Sequence, residues 1–427
     1  MSANTTIDNV TLTSPTPVTT NRPLAAPHHA RGFWLVGYVF AVTMAFAAVP
    51  APLYVLYAKE DHFGPFAVTA IFAAYAVGVA LSLYLAGHLS DRFGRLRLIA
   101  PAVVLNVAAA LIFVVWHDLS MLMIARFVSG LGVGLLTATA TAHMAELHRV
   151  AHPGRSTTLP EVVSTAANLG GIGLGPLIGG LLAQFAPAPL FTPYIVFLFL
   201  MVAGLLAIVI VPETVSPVEG PWHYRPQRVS APAGARVAFG AASVVAFVSF
   251  ALFGFFTSLA PSFLSSQLHV TSHALAGLLS FLVFGSAAVA QIVAARMPKG
   301  AFYPVGVIGL AVGLVVVVVG ILDGDLATLI AGGVIVGAGA GVGFKAAVGD
   351  AIRIASPTTR GETLATLFLI AYLGITVPVV LLGVLLEFAP TAPSIIAFGV
   401  VMLALLALAA ILIRSTHRRT QSRRRIT

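Results

Sequence analysis

Hydrophobic residues run through the chain in long blocks, and short polar segments separate them. Each block has about the 20 residues that a helix needs to cross a hydrocarbon core about 30 Å thick. Lipid accommodates only helices or closed barrels, and the two-residue alternation of barrel strands is missing from the sequence. We therefore predict twelve membrane-spanning helices, near 33–57, 65–87, 98–116, 120–145, 160–184, 191–211, 237–263, 273–294, 302–321, 326–349, 363–387 and 393–413.

The longer polar stretches divide the chain into two helical halves and three connecting or terminal segments. The halves are residues 33–211 and 237–413, with six predicted helices each, and the polar stretch 212–236 joins them. Residues 1–32 are rich in Thr and Pro, a composition that favours a disordered tail. Residues 414–427 form a basic tail.

Composition and charge place the chain in a membrane and fix its predicted orientation. The chain is 59% hydrophobic and 9% charged, whereas soluble domains carry about 25% charged residues. Its net charge of +9 does not indicate nucleic acid, because 20 of the 23 Lys and Arg residues fall on the side of both termini. Cytoplasmic loops carry such an excess. We expect a multi-pass protein of the cell membrane, surrounded by lipid, with both termini cytoplasmic.

The two halves carry related short motifs at the same spacing. The segment "DRFGR" at 91–95 is followed 204 residues later by "ARMPK" at 295–299, and the same offset relates Glu146 to Asp350. Two halves in the same orientation are typical of one large class of secondary transporters. In that class the substrate binds near the bilayer midplane, between the halves.

The loop "GHLSDRFGRLR" at 87–97 resembles the signature loop of the major facilitator superfamily, and the resemblance covers about 33–413. The matching positions are Gly87, Asp91, Arg92, Gly94 and Arg95. The resemblance implies an all-α fold of two six-helix halves that open alternately to each side. It also implies a conformational gate: Asp91 accepts hydrogen bonds at a helix N-terminus of the opposite half, and Arg95 meets Asp91 and Glu146. The alternative is that Asp91 caps a short local turn.

The fifth predicted helix contains "GIGLGPLIGG", which resembles the antiporter motif of drug/proton antiporters in this superfamily. The matching positions are Gly171, Gly175, Pro176, Gly179 and Gly180. Glycines spaced by four share a bare helix face that lets a neighbouring helix approach closely. Proline lacks the N–H that would bond the carbonyl four residues earlier, so a bend is expected. We expect this face to serve a surface on which one half rocks against the other; helix packing alone is the alternative.

Helices one, four, seven and ten line the substrate cavity in the superfamily. In this chain they supply the candidate substrate-binding residues Arg126, Trp34, Tyr38, Tyr54, Phe250 and Phe253. Arg126 has an alternative interpretation, because its long side chain can extend along the helix to the outer headgroups. The aromatic residues can equally pack against lipid or the protein core. Lys345 lies near the inner end of helix ten, where extension to the headgroups is the favoured interpretation.

The sequence predicts an exporter of small lipophilic compounds, coupled to protons as the resemblance implies. Proton coupling has no support from the residues themselves, because helix one lacks charged residues and His, and no carboxylate lies near a midplane. Few buried Asn and Gln disfavour sugars. The alternative is a proton-coupled importer of a small organic acid, which Arg126 could bind.

Patterns for catalysis and metal binding, such as H-E-x-x-H and G-x-S-x-G, are missing from the sequence. We therefore expect a transporter, not an enzyme, without cofactor or metal. Its expected partners are a small-molecule substrate, protons and lipid. We expect a monomer.

Overall fold

The computed structural model describes residues 25–87, 89–215, 224, 234–356 and 359–424, and all regular structure in them is helical. Twelve long helices follow each other along the chain: α1 Ala25–Ala48, α2 Pro65–Ala86, α3 Leu96–Val115, α4 Leu119–Ala151, α5 Thr158–Phe185, α6 Thr192–Ile208, α7 Arg236–Ser258, α8 His273–Val293, α9 Phe302–Asp323, α10 Leu326–Ile354, α11 Arg360–Phe388 and α12 Thr391–Arg424. A 3-10 turn, Ala51–Leu53, and a short helix, Tyr54–Glu60, continue α1.

The prediction of an all-helical membrane protein is confirmed. Among the described residues, eleven helical segments are long and apolar enough to cross a membrane. The remaining long helix, α6, is apolar but shorter, with 17 residues. The first helix begins at Ala25, inside the predicted tail, because its polar first turns are invisible to a hydropathy pattern. Helix α12 likewise continues into the predicted basic tail, as far as Arg424. Residues 1–24 and most of the predicted linker 212–236 lie outside the described residues.

Local sequence signals fix where several helices begin. The Asp118 carboxylate accepts a hydrogen bond from the backbone N–H of Met121 at the start of α4, at 3.2 Å. The Asp325 carboxylate does the same at the start of α10, where it bonds the N–H of Thr328 at 2.8 Å. Such caps satisfy backbone donors that have no partner within the helix. Corresponding helices of the two halves thus begin with the same device.

The six helices of each half pack in the same pairs. In the first half α1 packs on α4, α5 and α6, α4 also packs on α2 and α3, and α3 packs on α6. In the second half α7 packs on α10, α11 and α12, α10 also packs on α8 and α9, and α9 packs on α12. Each half also has a large hydrophobic core of its own. This repeated packing is the parallel repeat that the offset of 204 residues predicted.

The halves meet chiefly through two helix pairs, α5 with α8 and α2 with α11. We call the end of the bundle that carries the loop 87–95 the inner end, which the charge pattern predicts to be cytoplasmic, and the opposite end the outer end. At the outer end, the short helix Tyr54–Glu60 also packs on the helix Ala260–Ser266 of the other half. The outer end is therefore closed.

Candidate functional site

A central cavity of about 420 Å³ lies between the halves. Its walls come from α1, α2, α4, α5, α7, α8, α10 and α11, and most of the side chains that line it are apolar or aromatic. It extends from Tyr54 below the outer closure to Glu161 and Lys345 near the inner end. Because the outer end is closed and Glu161 is exposed, the structure is inward-facing.

Arg126 of α4 lies inside this cavity, with only 2% of its surface exposed. Its guanidinium carbon is 4.3 Å from the centre of the Tyr75 ring and 5.8 Å from that of Phe72. Its Nη1 donates a hydrogen bond to the carbonyl of Ala47, in the last turn of α1, where carbonyls have no partner within the helix. In this structure Arg126 therefore faces the cavity and does not extend to the outer surface.

The second half supplies an aromatic wall. The Phe250 ring lies 5.0 Å from that of Phe344 and 5.5 Å from that of Tyr372, measured between ring centres. The Phe253 ring stacks on that of Phe284 at 4.7 Å. All five residues line the cavity. The structure thus brings together four of the predicted substrate-binding residues, namely Arg126, Tyr54, Phe250 and Phe253.

Two other predicted residues, Trp34 and Tyr38, lie outside the cavity. Trp34 is 58% exposed near the start of α1. The Tyr38 hydroxyl donates a hydrogen bond to the carbonyl of Leu200 on α6, at 3.0 Å. Successive residues of a helix are turned by about 100°, so only one face of α1 reaches the cavity, and it carries Met44, Ala47 and Ala48. The expectation that Trp34 and Tyr38 line the cavity does not hold in this structure.

Several residues that line the cavity were not among the predicted ones, because the prediction was confined to helices one, four, seven and ten. Phe72 and Tyr75 come from α2, Phe284 from α8 and Tyr372 from α11. Phe72 and Tyr75 are three residues apart and therefore share a helix face. The spacing is visible in the sequence, but it does not show whether the shared face points to the cavity, to lipid or to a neighbouring helix.

The inner cluster, which we define as Asp91, Arg95, Glu146 and Glu213, holds charged groups at the inner end. Arg95 Nη2 lies 2.8 Å from Glu146 Oε1, and Arg95 Nη1 lies 2.6 Å from Asp91 Oδ1. The Asp91 side chain is 71% exposed; Asp91, Arg95 and Glu146 belong to the first half, and Glu213 lies just after α6. Among the described residues, Asp91 accepts no hydrogen bond from a helix of the other half in this inward-facing structure. Such bonds stay a prediction for the state in which the inner end is closed.

Glu213 joins the segment after α6 to the start of α3. Its carboxylate accepts hydrogen bonds from the backbone N–H groups of Arg95 at 3.0 Å and Leu96 at 2.9 Å. Burial would raise the pKa of Glu213, but these bonds and two more from Thr214 and Val215 lower it below the ordinary value.

The remaining loop positions shape the turn between α2 and α3. Gly94 has a φ of 104°, a conformation that L side chains rarely adopt, so glycine is needed there. Gly87 ends α2, and Arg92 lies in the one-turn helix Ser90–Phe93.

The glycines of α5 have a different role from the expected one. A Cβ atom on Gly175 would lie 1.9 Å from the carbonyl oxygen of Ala45 on α1, and Gly171 and Gly179 lie against the same helix. This face therefore packs within the first half and does not form the surface between halves. Gly180, one residue further round the helix, faces the other half, because its Cβ would lie 2.2 Å from the carbonyl oxygen of His273 on α8.

Pro176 lies within α5, and the helix changes its hydrogen bonding before it reaches this residue. Residues Ala166–Gly170 form one π-helical turn, and regular α-helix resumes at Gly171. Such turns occur frequently at functional sites. Asn168 and Leu169 of this turn line the cavity.

Two hydrogen bonds, which we call the outer caps, join the halves at the outer end. Glu387 Oε1, at the end of α11, accepts a bond from the backbone N–H of Phe66 in the first turn of α2, at 3.1 Å. Gln184 Oε1, at the end of α5, accepts one from the N–H of His273 at the start of α8, at 3.0 Å. Gln184 and Glu387 are 203 residues apart, close to the repeat offset. The outer caps are therefore the same contact, made once by each half.

The sequence profile of the Major Facilitator Superfamily matches residues 34–318. The chain belongs to this superfamily. Among solved structures, that of the human organic anion transporter MFSD10 (TETRAN) is similar with a TM-score of 0.65, at 16% identity over 89% of this chain and 99% of that one. At this identity the likeness shows the shared superfamily fold.

Two curated bacterial relatives match parts of this superfamily member. The arabinose-proton symporter of Bacillus subtilis is 30% identical over 115 residues, which are 27% of this chain and 23% of the symporter. A multidrug resistance protein B homolog of Mycobacterium tuberculosis is 35% identical over 106 residues, which are 25% of this chain and 19% of that protein. The chain thus matches less than a quarter of the length of each of these relatives.

Proposed function

We propose that this major facilitator protein exports small lipophilic organic compounds by alternating access. The observation that carries the proposal is the cavity, which is apolar and aromatic, holds one deeply buried cation and is open at the inner end. Compounds dissolved in the inner leaflet or the cytoplasm would enter it from that end. The antiporter-like motif in α5 and the relative named as a multidrug resistance protein favour efflux.

The second candidate function is import of a small organic acid or metabolite with a proton. Arg126 favours it, because a buried guanidinium binds carboxylates well. The relative named as an arabinose-proton symporter is named for the same coupling, in which substrate and proton cross in one direction. In an importer the same cavity would release its substrate from the inward-facing state.

Proton coupling is part of both proposals and comes from the superfamily resemblance. Among the described residues that line the cavity, Glu161 is the carboxylate, and it lies at the inner mouth. The membrane-spanning depth around Arg126 is lined by uncharged side chains apart from the arginine itself. A proton in transit would therefore bind near the inner mouth or on the substrate.

The test separates the two directions in one pair of assays. Cells that express the protein are grown on a panel of toxic lipophilic compounds, and uptake of labelled organic acids is measured beside it. Cells that carry the empty vector serve as the inactive control. Resistance supports export, accumulation supports import, and no difference from the control in either assay contradicts both.

A further inference from the structure

A guanidinium without a counter-ion lies at the closed end of the cavity. Within the part of the chain that the structure describes, Arg126 forms no ion pair, and its hydrogen-bond acceptor is the Ala47 carbonyl. Its Nε is buried without a partner. An unpaired buried charge is strongly destabilising, and arginine cannot lose its proton to avoid the penalty. An anion that the chain does not supply would complete this site.

A second unsatisfied donor lines the same end of the cavity. The Tyr54 hydroxyl is buried and has no hydrogen-bond partner among the residues that the structure describes. The rings of Tyr75 and Phe72 flank the guanidinium. A carboxylate has acceptor sites for both the guanidinium and the hydroxyl, and its bonds with a guanidinium are among the strong ones in proteins.

The rest of the cavity limits what can be attached to that anionic group. The stacked rings of Phe253 and Phe284 line the same cavity, which favours a ligand with an apolar body. Lys345 lies about 29 Å along α10 from its outer start, whereas Arg126 lies about 11 Å along α4 from its own. Along the bundle the two cations are thus about 18 Å apart, so a compact ligand bound at Arg126 does not contact Lys345 and needs one anionic group.

We infer that the cavity binds lipophilic organic monoanions, with the acidic group on Arg126 and Tyr54 and the apolar body against Phe253 and Phe284. This site rests on the proposed function, because it names the class of compound that the transporter carries. It holds for either direction of transport. It also distinguishes this cavity from one that selects lipophilic cations, which would need a buried carboxylate where Arg126 lies.

Binding of three probes of nearly equal shape tests the site: 1-naphthoate, 1-naphthalenemethanol and 1-naphthylmethylammonium. The purified full-length protein in lipid nanodiscs should bind the carboxylate at least about tenfold more tightly than the other two, since a hydrogen bond to a charged group is lost in both. Arg126→Gln should remove this preference, and Tyr54→Phe should weaken naphthoate binding by about threefold to tenfold. Arg149→Gln, at an exposed position of the same helix, should bind like the parent.

The order of the three probes on the unmodified protein needs no variant, so a variant that fails to fold does not decide the test. Equal binding of the three probes, no binding of naphthoate, or an unchanged preference in Arg126→Gln would overturn the anion site. Proteoliposomes loaded with the compound panel then report on transport separately. Arg126-dependent naphthoate binding without any transport would leave the anion site standing and contradict the proposed function. Transport of the compounds by a protein that does not prefer the carboxylate would contradict the anion site and leave the proposed function standing.

Discussion

The two ends of the bundle hold their groups together in different ways. At the outer end the contacts cross between the halves: Glu387 bonds the N–H of Phe66, and Gln184 bonds that of His273. At the inner end the ion pairs among the described residues are made within one half, where Arg95 bonds the carboxylates of Asp91 and Glu146. The closed outer end is thus held by side chains that cap helix starts of the other half. At the open inner end, the described ion pairs do not cross between the halves.

This difference shows how opening can be reversible. The outer caps join a side-chain oxygen to a backbone N–H, so separation of the halves exposes no broken ion pair to lipid. The Arg95–Glu146 pair is intact while the inner end is open, so it belongs to the fold of the first half in this state. We predict that Asp91, whose carboxylate is exposed, is the member of the inner cluster that binds the other half when the inner end closes.

The largest expected effects come from two glycines on different faces of α5. Gly175→Leu puts a side chain onto the Ala45 backbone within the first half, so we expect it to lower the melting temperature and the yield of folded protein, with overpacking worth about 1–3 kcal/mol or more. Gly180→Leu acts between the halves, so the protein should fold but fail to close the outer end, and transport should fall about tenfold or more.

Gly349→Leu is the control for both, because a Cβ at this position of α10 meets nothing within 4 Å. Melting curves and transport are measured at matched membrane abundance. If Gly175→Leu folds like the parent, or if Gly180→Leu transports like it, the assignment of the two faces is wrong.

Helix spacing predicted that Gly171, Gly175 and Gly179 share a face, but it could not say which helix that face contacts. The same limit explains Trp34 and Tyr38. A membrane helix is apolar on all sides, so no polar stripe marks the side that faces the cavity.

The positions of the helices, the repeat and the signature loop could be predicted, because lipid and backbone hydrogen bonding impose them. The outer caps could have been found from the spacing of Gln184 and Glu387, which nearly equals the repeat offset.

The second prediction concerns the exposed carboxylate of the inner cluster. Asp91→Asn should lower transport and shift the resting protein further toward the inward-open state, because a carboxylate at a helix N-terminus contributes about 0.3–1 kcal/mol, or up to about fivefold in population. Glu146→Gln should give a milder version. Labelling of single cysteines in the inner mouth measures the shift, since the chain has no native cysteine. Labelling equal to that of the parent would show that Asp91 only caps its local turn.

The third prediction compares the two outer caps with each other. Glu387→Ala should raise the labelling of a single cysteine below the outer closure by about twofold to fivefold, through loss of a hydrogen bond and of a favourable charge at the start of α2. Gln184→Ala should do less, because a neutral amide interacts weakly with the helix dipole. Salt should reduce the effect of Glu387 but not that of Gln184. Equal effects at every salt concentration would contradict a charge contribution.

The smallest expected effect is that of Glu213. Its pKa is lowered in the folded protein, so its contribution to stability is present at neutral pH and is lost as the pH falls below the ordinary glutamate value of about 4.3. Glu213→Gln should therefore lower the melting temperature slightly at pH 7, and the difference from the parent should hold down to about pH 5 and shrink below about pH 4.3. A difference that grows on acidification would contradict the sign of the pKa shift.

Distances measured at both ends of one protein test alternating access most directly. Spin labels at positions 150 and 352 report the separation of the halves at the inner end, and labels at 119 and 322 report it at the outer end; Val150, Ile352, Leu119 and Leu322 are all exposed. The account predicts opposite changes: Gly180→Leu should lengthen the outer distance and shorten the inner one, and Asp91→Asn should do the reverse. Ends that move independently, or in the same direction, would contradict it.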